Sequence, residues 1–158
     1  MELHDRIGRE LTDLEQTVQL ASDAWQGVSR LPEEQVHFLN SLALNLHSFY
    51  NGVERIFELI ARRLDPAFPG DEHWHRTLLE QMGREIEGVR PAVLSKEASE
   101  SLKDFLAFRH RIRNLYTFHL DAIRLHELLA RLPDTWQHVR ADIETFQDLL
   151  REAASDDT

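Results

Sequence analysis

The chain has 158 residues, 42% of them apolar, with a formal net charge of −10 and no cysteine. That length suits one ordinary core and not two. The charge excludes indiscriminate attraction to nucleic acid, and the missing thiols exclude disulfides and thiolate chemistry. No apolar run approaches the roughly 18 residues of a membrane span. The opening Met1-Glu2-Leu3-His4-Asp5 lacks the basic and apolar regions of a secretory signal. A cytoplasmic protein without membrane association is expected.

The apolar pattern is helical throughout. Leu3, Ile7, Leu11, Leu14, Val18, Ala21 and Trp25 recur in steps of three and four, which predicts a first amphipathic helix closing near Gly27. Pro32, Glu33 and Glu34 suit the first turn of a second, where proline lacks no needed donor and acids meet the positive end of the dipole. Val36, Leu39, Ala43, Leu46, Tyr50, Val53, Phe57, Ile60 and Leu64 keep the same steps, a seam of about 30 residues or roughly 45–50 Å. Asp65-Pro66 and Pro69-Gly70 break it. Asp71 is positioned to cap a shorter helix through Trp74, Leu78, Leu79, Met82 and Ile86.

Gly88 to Pro91 read as a connector and Ser95 as the next cap, with Leu102, Phe105, Phe108, Ile112 and Leu115 as the following buried face. The pattern continues through Ile123, Leu128, Leu129, Trp136, Val139, Ile143, Phe146 and Leu150, interrupted by Pro133. It reads as two consecutive helices, with Asp121 as a cap after a break near residues 117 to 121. Residues 1–153 are then expected to form one all-α domain, an up-and-down antiparallel bundle of about five helices, with residues 154–158 a frayed tail.

Cations are unevenly spread along this acidic chain. Residues 103 to 131 hold six Lys or Arg against three acids, while the segment from Asp134 holds seven acids against Arg140 and Arg151. The stretch Phe108 to His119 concentrates Arg109, His110, Arg111, Arg113, Asn114, Tyr116 and His119 inside a helical pattern. A focal basic site on an acidic body suits a selective anionic ligand. On an ideal helix His110, Arg113, Tyr116 and His119 climb one ridge. Arg113 and His119 end about 120° apart, so they converge only if the helix ends or bends, or if a second protomer closes the site.

Arg113-Asn114 followed after four residues by His119 resembles the Arg-polar-x-His signature of the HEPN superfamily. The segments Ser48 to Phe57 and His73 to Leu79 look like HepT-like sequences. The resemblance spans residues 36 to 150. It implies a metal-independent ribonuclease toxin without a cofactor, cleaving RNA such as tRNA at a homodimer interface and neutralised by a minimal nucleotidyltransferase antitoxin. Imidazole titrates in the range useful for proton transfer with a ribose 2′-hydroxyl, and guanidinium offers phosphate a permanently charged fork. His119 is thus the candidate acid/base group and Arg113 the phosphate clamp, with Asn114 beside them. Arg109, His110, Tyr116 and Glu54 are supporting candidates. HepT toxins carry the tyrosine that accepts AMP two residues after the motif histidine. Here that position is Asp121, which leaves Tyr116 as the candidate for AMPylation.

Structural readings compete at each position. His119 suits a core histidine, Arg113 an ion pair with Glu54 or Glu58, and Arg109 and Arg111 solvated or structural roles. Two further functions compete with the ribonuclease. One is a non-catalytic helical dimer that binds a partner. The other is a metal-binding bundle, since Glu34 and His37, and Glu72 and His75, are three residues apart, with Glu54 and Glu58 as bridging carboxylates.

Overall fold

The computed structural model describes residues 2–116 and 119–156. Each predicted seam lies largely on a helix that buries most of it. In chain order these are α1 (Leu3–Arg30), α2 (Gln35–Leu64), α3 (Trp74–Met82), α4 (Lys96–Ile112) and α5 (Ala122–Asp156), with one 3-10 turn at Pro32–Glu34 ahead of α2. Among the described residues the only bridge is an isolated one between Ile86 and Arg90, so the all-α reading holds. No helix among them is long and apolar enough to cross a membrane.

Side-chain pairings fix the helix directions. Gly27 faces Phe38, Gly52 faces Leu14 and Arg55 binds Glu10, so α1 and α2 are antiparallel. Trp25 stacks on His126, the Trp136 indole donates to Glu15, and Gln147 donates to the His4 carbonyl, which sets α5 antiparallel to α1. Asp104 with Arg131 and Ser95 with Asp142 set α4 antiparallel to α5. Short α3 departs from this plan. Its pairings of His75 with Glu54 and of Gln81 with Asp65 run in the same sense as α2. The common core includes the fully buried Ile7, Leu14, Phe49, Phe57, Phe105 and Val139.

Several boundaries differ from the sequence reading. Helix α1 does not close at Gly27 but runs to Arg30. Gly27 is there because α2 approaches closely: a Cβ would fall 2.3 Å from the Phe38 ring. Asp71 does not cap α3 directly, since its carboxylate accepts from the His73 amide at 3.0 Å in a turn before the first helical residue, Trp74. Helix α3 stops at Met82, short of Ile86, because the Met82 carbonyl accepts from both Val93 and Leu94 as the chain folds back. That reversal passes through Gly88 at φ 73°, a conformation glycine adopts without strain. Ser95 caps α4 as expected, accepting from the Ala98 amide at 3.2 Å, and its own amide and hydroxyl donate to Asp142.

Pro133 does not interrupt the last helix; α5 is continuous across it and extends to Asp156. Proline removes one intrahelical hydrogen bond at a cost of about 3 kcal/mol. Leu128, Leu132, Trp136 and Val139 are buried on either side, at about 1.5–3 kcal/mol per large apolar side chain. Burial therefore wins. The exposed apolar residues Val36, Leu115 and Ile123 lie outside the buried faces to which periodicity assigned them.

Candidate active site

Helix α4 ends at Ile112, so Arg113 and Asn114 stand in a turn and not inside a helix. The turn closes through Asn114, whose amide donates to the Arg111 carbonyl at 3.1 Å and whose side chain donates to the His110 carbonyl at 3.2 Å. Arg109, His110 and Arg111 occupy the last turn, where cations meet the negative end of the dipole. That favourable placement is worth typically about 0.3–1 kcal/mol each, so helix electrostatics alone accounts for part of the cluster. The α4–α5 connection is where the predicted ridge fails. Arg113, Asn114, Tyr116 and His119 are all exposed, Tyr116 by 70%, and Thr117 and Phe118 lie outside the described residues.

His119 is accordingly not a core histidine. Its amide donates to the Tyr116 carbonyl at 2.9 Å, and the two rings meet edge to face at 5.9 Å. With Phe108, Arg111, Leu115, Asp121 and Arg124 it borders a recess of about 240 Å³, and Arg113 is not part of that lining. Asp121, the counterpart of the family's modified tyrosine, caps α5 as expected by accepting from the Ile123 amide at 2.9 Å. Arg113 does not pair with Glu54 or Glu58, because Glu54 binds His75 and Glu58 lies 3.5 Å from Arg62.

Under the α4 terminus lies a polar strip of α2 from which the sequence reading had singled out only Glu54. His47 Nε2 and Asn51 Nδ2 are 3.1 Å apart, and Arg109 Nε donates to Asn51 Oδ1 at 3.1 Å. Burial, and then the Arg109 and Arg113 charges, push the His47 imidazole below its ordinary range. Its Nδ1 is buried without a hydrogen-bond partner among the described residues, as is the Tyr50 hydroxyl. Burial raises the Tyr50 phenol far above the usual range. His47, Asn51 and Glu54 recur at helical spacing within an otherwise apolar seam. That spacing was the available signal.

Glu54 is 5% exposed, and both its carboxylate oxygens lie 2.8 Å from His75 Nδ1. Burial raises its carboxyl above the ordinary range, while the His75 hydrogen bond and then the His75 and Arg109 charges draw it back down. His75 also borders a cleft of about 700 Å³ between α3 and α4, whose other wall includes Arg109, His110 and Arg111. The described residues bring no three of His, Asp and Glu into a metal-ligating group, so the pairs Glu34 with His37 and Glu72 with His75 do not assemble one. Glu54, not Glu72, is the carboxylate that meets His75.

Taken together, these features define a small all-helical protein that presents an arginine, a polar residue and a histidine on the exposed connection between its last two helices. A family model described as HepT-like protein matches residues 41–150. The chain belongs to the HepT-like family of the HEPN superfamily. Searches of the curated proteins and of the solved structures returned no match.

Proposed function

We propose that this protein is a metal-independent endoribonuclease toxin that cleaves RNA, such as tRNA, as a cytoplasmic homodimer, and that a minimal nucleotidyltransferase antitoxin neutralises it. The observation that carries this reading is the exposed Arg113-Asn114-x4-His119 motif on the cationic end of α4, in a HepT-like chain of net charge −10. His119 takes the proton of the ribose 2′-hydroxyl as the 2′-oxygen attacks phosphorus, and the P–O5′ bond breaks to leave a 2′,3′-cyclic phosphate. The departing 5′-oxygen takes a proton to become a 5′-hydroxyl, and Arg113 stabilises the charge gathering on the phosphate oxygens. Asn114 is already committed to the turn that orients Arg113, so its contribution is positioning. Arg109 holds the α2 strip from the same helix end. The exposed apolar residues Leu115, Tyr116 and Ile123 flank the motif and suit an interface with a second copy. Tyr116 is exposed in the single protomer, so AMPylation there would compete with the interface, and an intact-mass measurement after co-expression with the antitoxin tests it.

Purified wild type and His119→Ala are compared on tRNA with chelator present. Loss of one positioned proton-transfer group costs about 10²–10⁴-fold in rate, so the variant is expected to be nearly inactive with its helical content unchanged. Equal cleavage by the two proteins would overturn the assignment. The competing reading, a non-catalytic dimeric binding module, draws on the recess at His119 lacking Arg113 in a single protomer. It requires that no RNA is cut by the folded dimer free of its antitoxin.

A further inference from the structure

The cleft between α3 and α4 excludes Arg113 and His119, and the ribonuclease reading leaves its chemistry unused. His75 is one of the residues that line it. With Nδ1–H donating to the buried Glu54 carboxylate, the ring is held in one orientation and Nε2 is the nitrogen left for the cleft that His75 lines. His75 and Arg76 belong to the first turn of α3, where free amides and the helix dipole favour an anion. Arg109, His110 and Arg111 line the facing side. Of the acids at the rim, Glu80 lies 3.4 Å from Arg76 and Asp104 is bound by Arg131, which leaves Glu72. Arg111 lines both this cleft and the recess at His119. It is the shared wall of two recesses at one helix end.

We propose that the cleft is a second phosphate-binding subsite. His75, held by Glu54, and Arg111 take a phosphodiester of the same RNA strand whose scissile phosphate lies at Arg113 and His119. The phosphate chemistry stands on the cleft alone; the naming of RNA rests on the ribonuclease reading.

The test is imidazole ¹⁵N NMR of the full-length protein titrated with inorganic phosphate, against sodium chloride of matched ionic strength. The His75 Nε2 resonance is expected to move saturably with phosphate and not with chloride. Loss of a charge-assisted hydrogen bond is worth about 1.5–3 kcal/mol, so Arg111→Ala, read at the His75 resonance, and His75→Gln, read by titration calorimetry, should each weaken phosphate about tenfold or more. Arg111 is exposed, so Arg111→Ala keeps the test decisive if His75→Gln disturbs the buried Glu54. His119→Ala should bind phosphate in the cleft as wild type does, which separates this site from the catalytic assignment. A 2′-O-methyl oligoribonucleotide, which has no 2′-proton to lose, and 5′-AMP then separate the two sources of phosphate. Tenfold weaker oligonucleotide binding by Arg111→Ala, with AMP too weak to saturate, supports the RNA strand. Saturation by AMP alone overturns the strand and makes the cleft a free-nucleotide site. An unmoved His75, or phosphate binding by Arg111→Ala as tight as wild type, overturns the subsite altogether.

Discussion

His47 sits where α2 passes beneath Arg109 and Arg113, and its surroundings oppose its protonation. An imidazole with a folded-state value below its unfolded value of 6.5 gives stability that is present above that value and lost as pH falls through the lowered one. The denaturant midpoint of wild type should therefore drop on acidification below about pH 6.5, and His47→Gln should flatten that drop. A parallel fall in wild type and variant would assign the acid sensitivity elsewhere. Asp121 carries a different residue-scale consequence. Its carboxylate is committed to the first turn of α5, so Asp121→Tyr, which installs the family's residue, should destabilise the fold by about 0.5–2 kcal/mol through loss of an N-cap. Thermal unfolding reads this directly. Stability equal to wild type would mean that the cap contributes nothing.

Between elements, one buried ion pair ties three segments together. Asp65, next after α2, accepts from Arg90 at 2.6 and 2.7 Å and from Gln81 of α3 at 2.6 Å, and Arg90 also donates to the carbonyls of Gln81, Arg84 and Pro91. Both side chains are almost wholly buried. Arg90→Met strands a buried carboxylate, and breaking such a pair costs about 3–5 kcal/mol. Denaturant unfolding should show that loss for Arg90→Met and recover most of it in the double variant Arg90→Met, Asp65→Leu. A double variant no better than the single one would contradict the account. This clamp was invisible in the sequence, because nothing local marks Asp65 and Arg90 as partners across 25 positions. The α2 seam was legible because every step from Leu39 to Ile60 reports burial on a single helix. Pro133 was misread for the opposite reason: a local breaker signal was outweighed by apolar contacts on both sides of it. Leu115 continued the α4 period, but the Asn114 turn had already ended the helix.

Across the whole molecule, the motif was legible as a cluster and its geometry was not. Spacing on an ideal helix separated Arg113 from His119; the observed end of α4 leaves both exposed on the connection to α5 and does not bring them into one recess. The Arg113 charge reaches His47, while His119 borders another recess. If a catalytic centre is built from both groups, a second copy is the natural source of the missing half, with Leu115, Tyr116 and Ile123 exposed around it. Light scattering should then give a dimer at micromolar concentration. Mixing supplies a sharper test. Arg113→Ala and His119→Ala protomers are each expected to be inactive on tRNA. In a mixed dimer with sites shared across the two-fold axis, one site keeps both working side chains and the other loses both. Random exchange makes about half the dimers mixed, so the blend should recover about a quarter of the wild-type rate. Were each site built within one protomer, every site in the blend would lack one group and no activity would return.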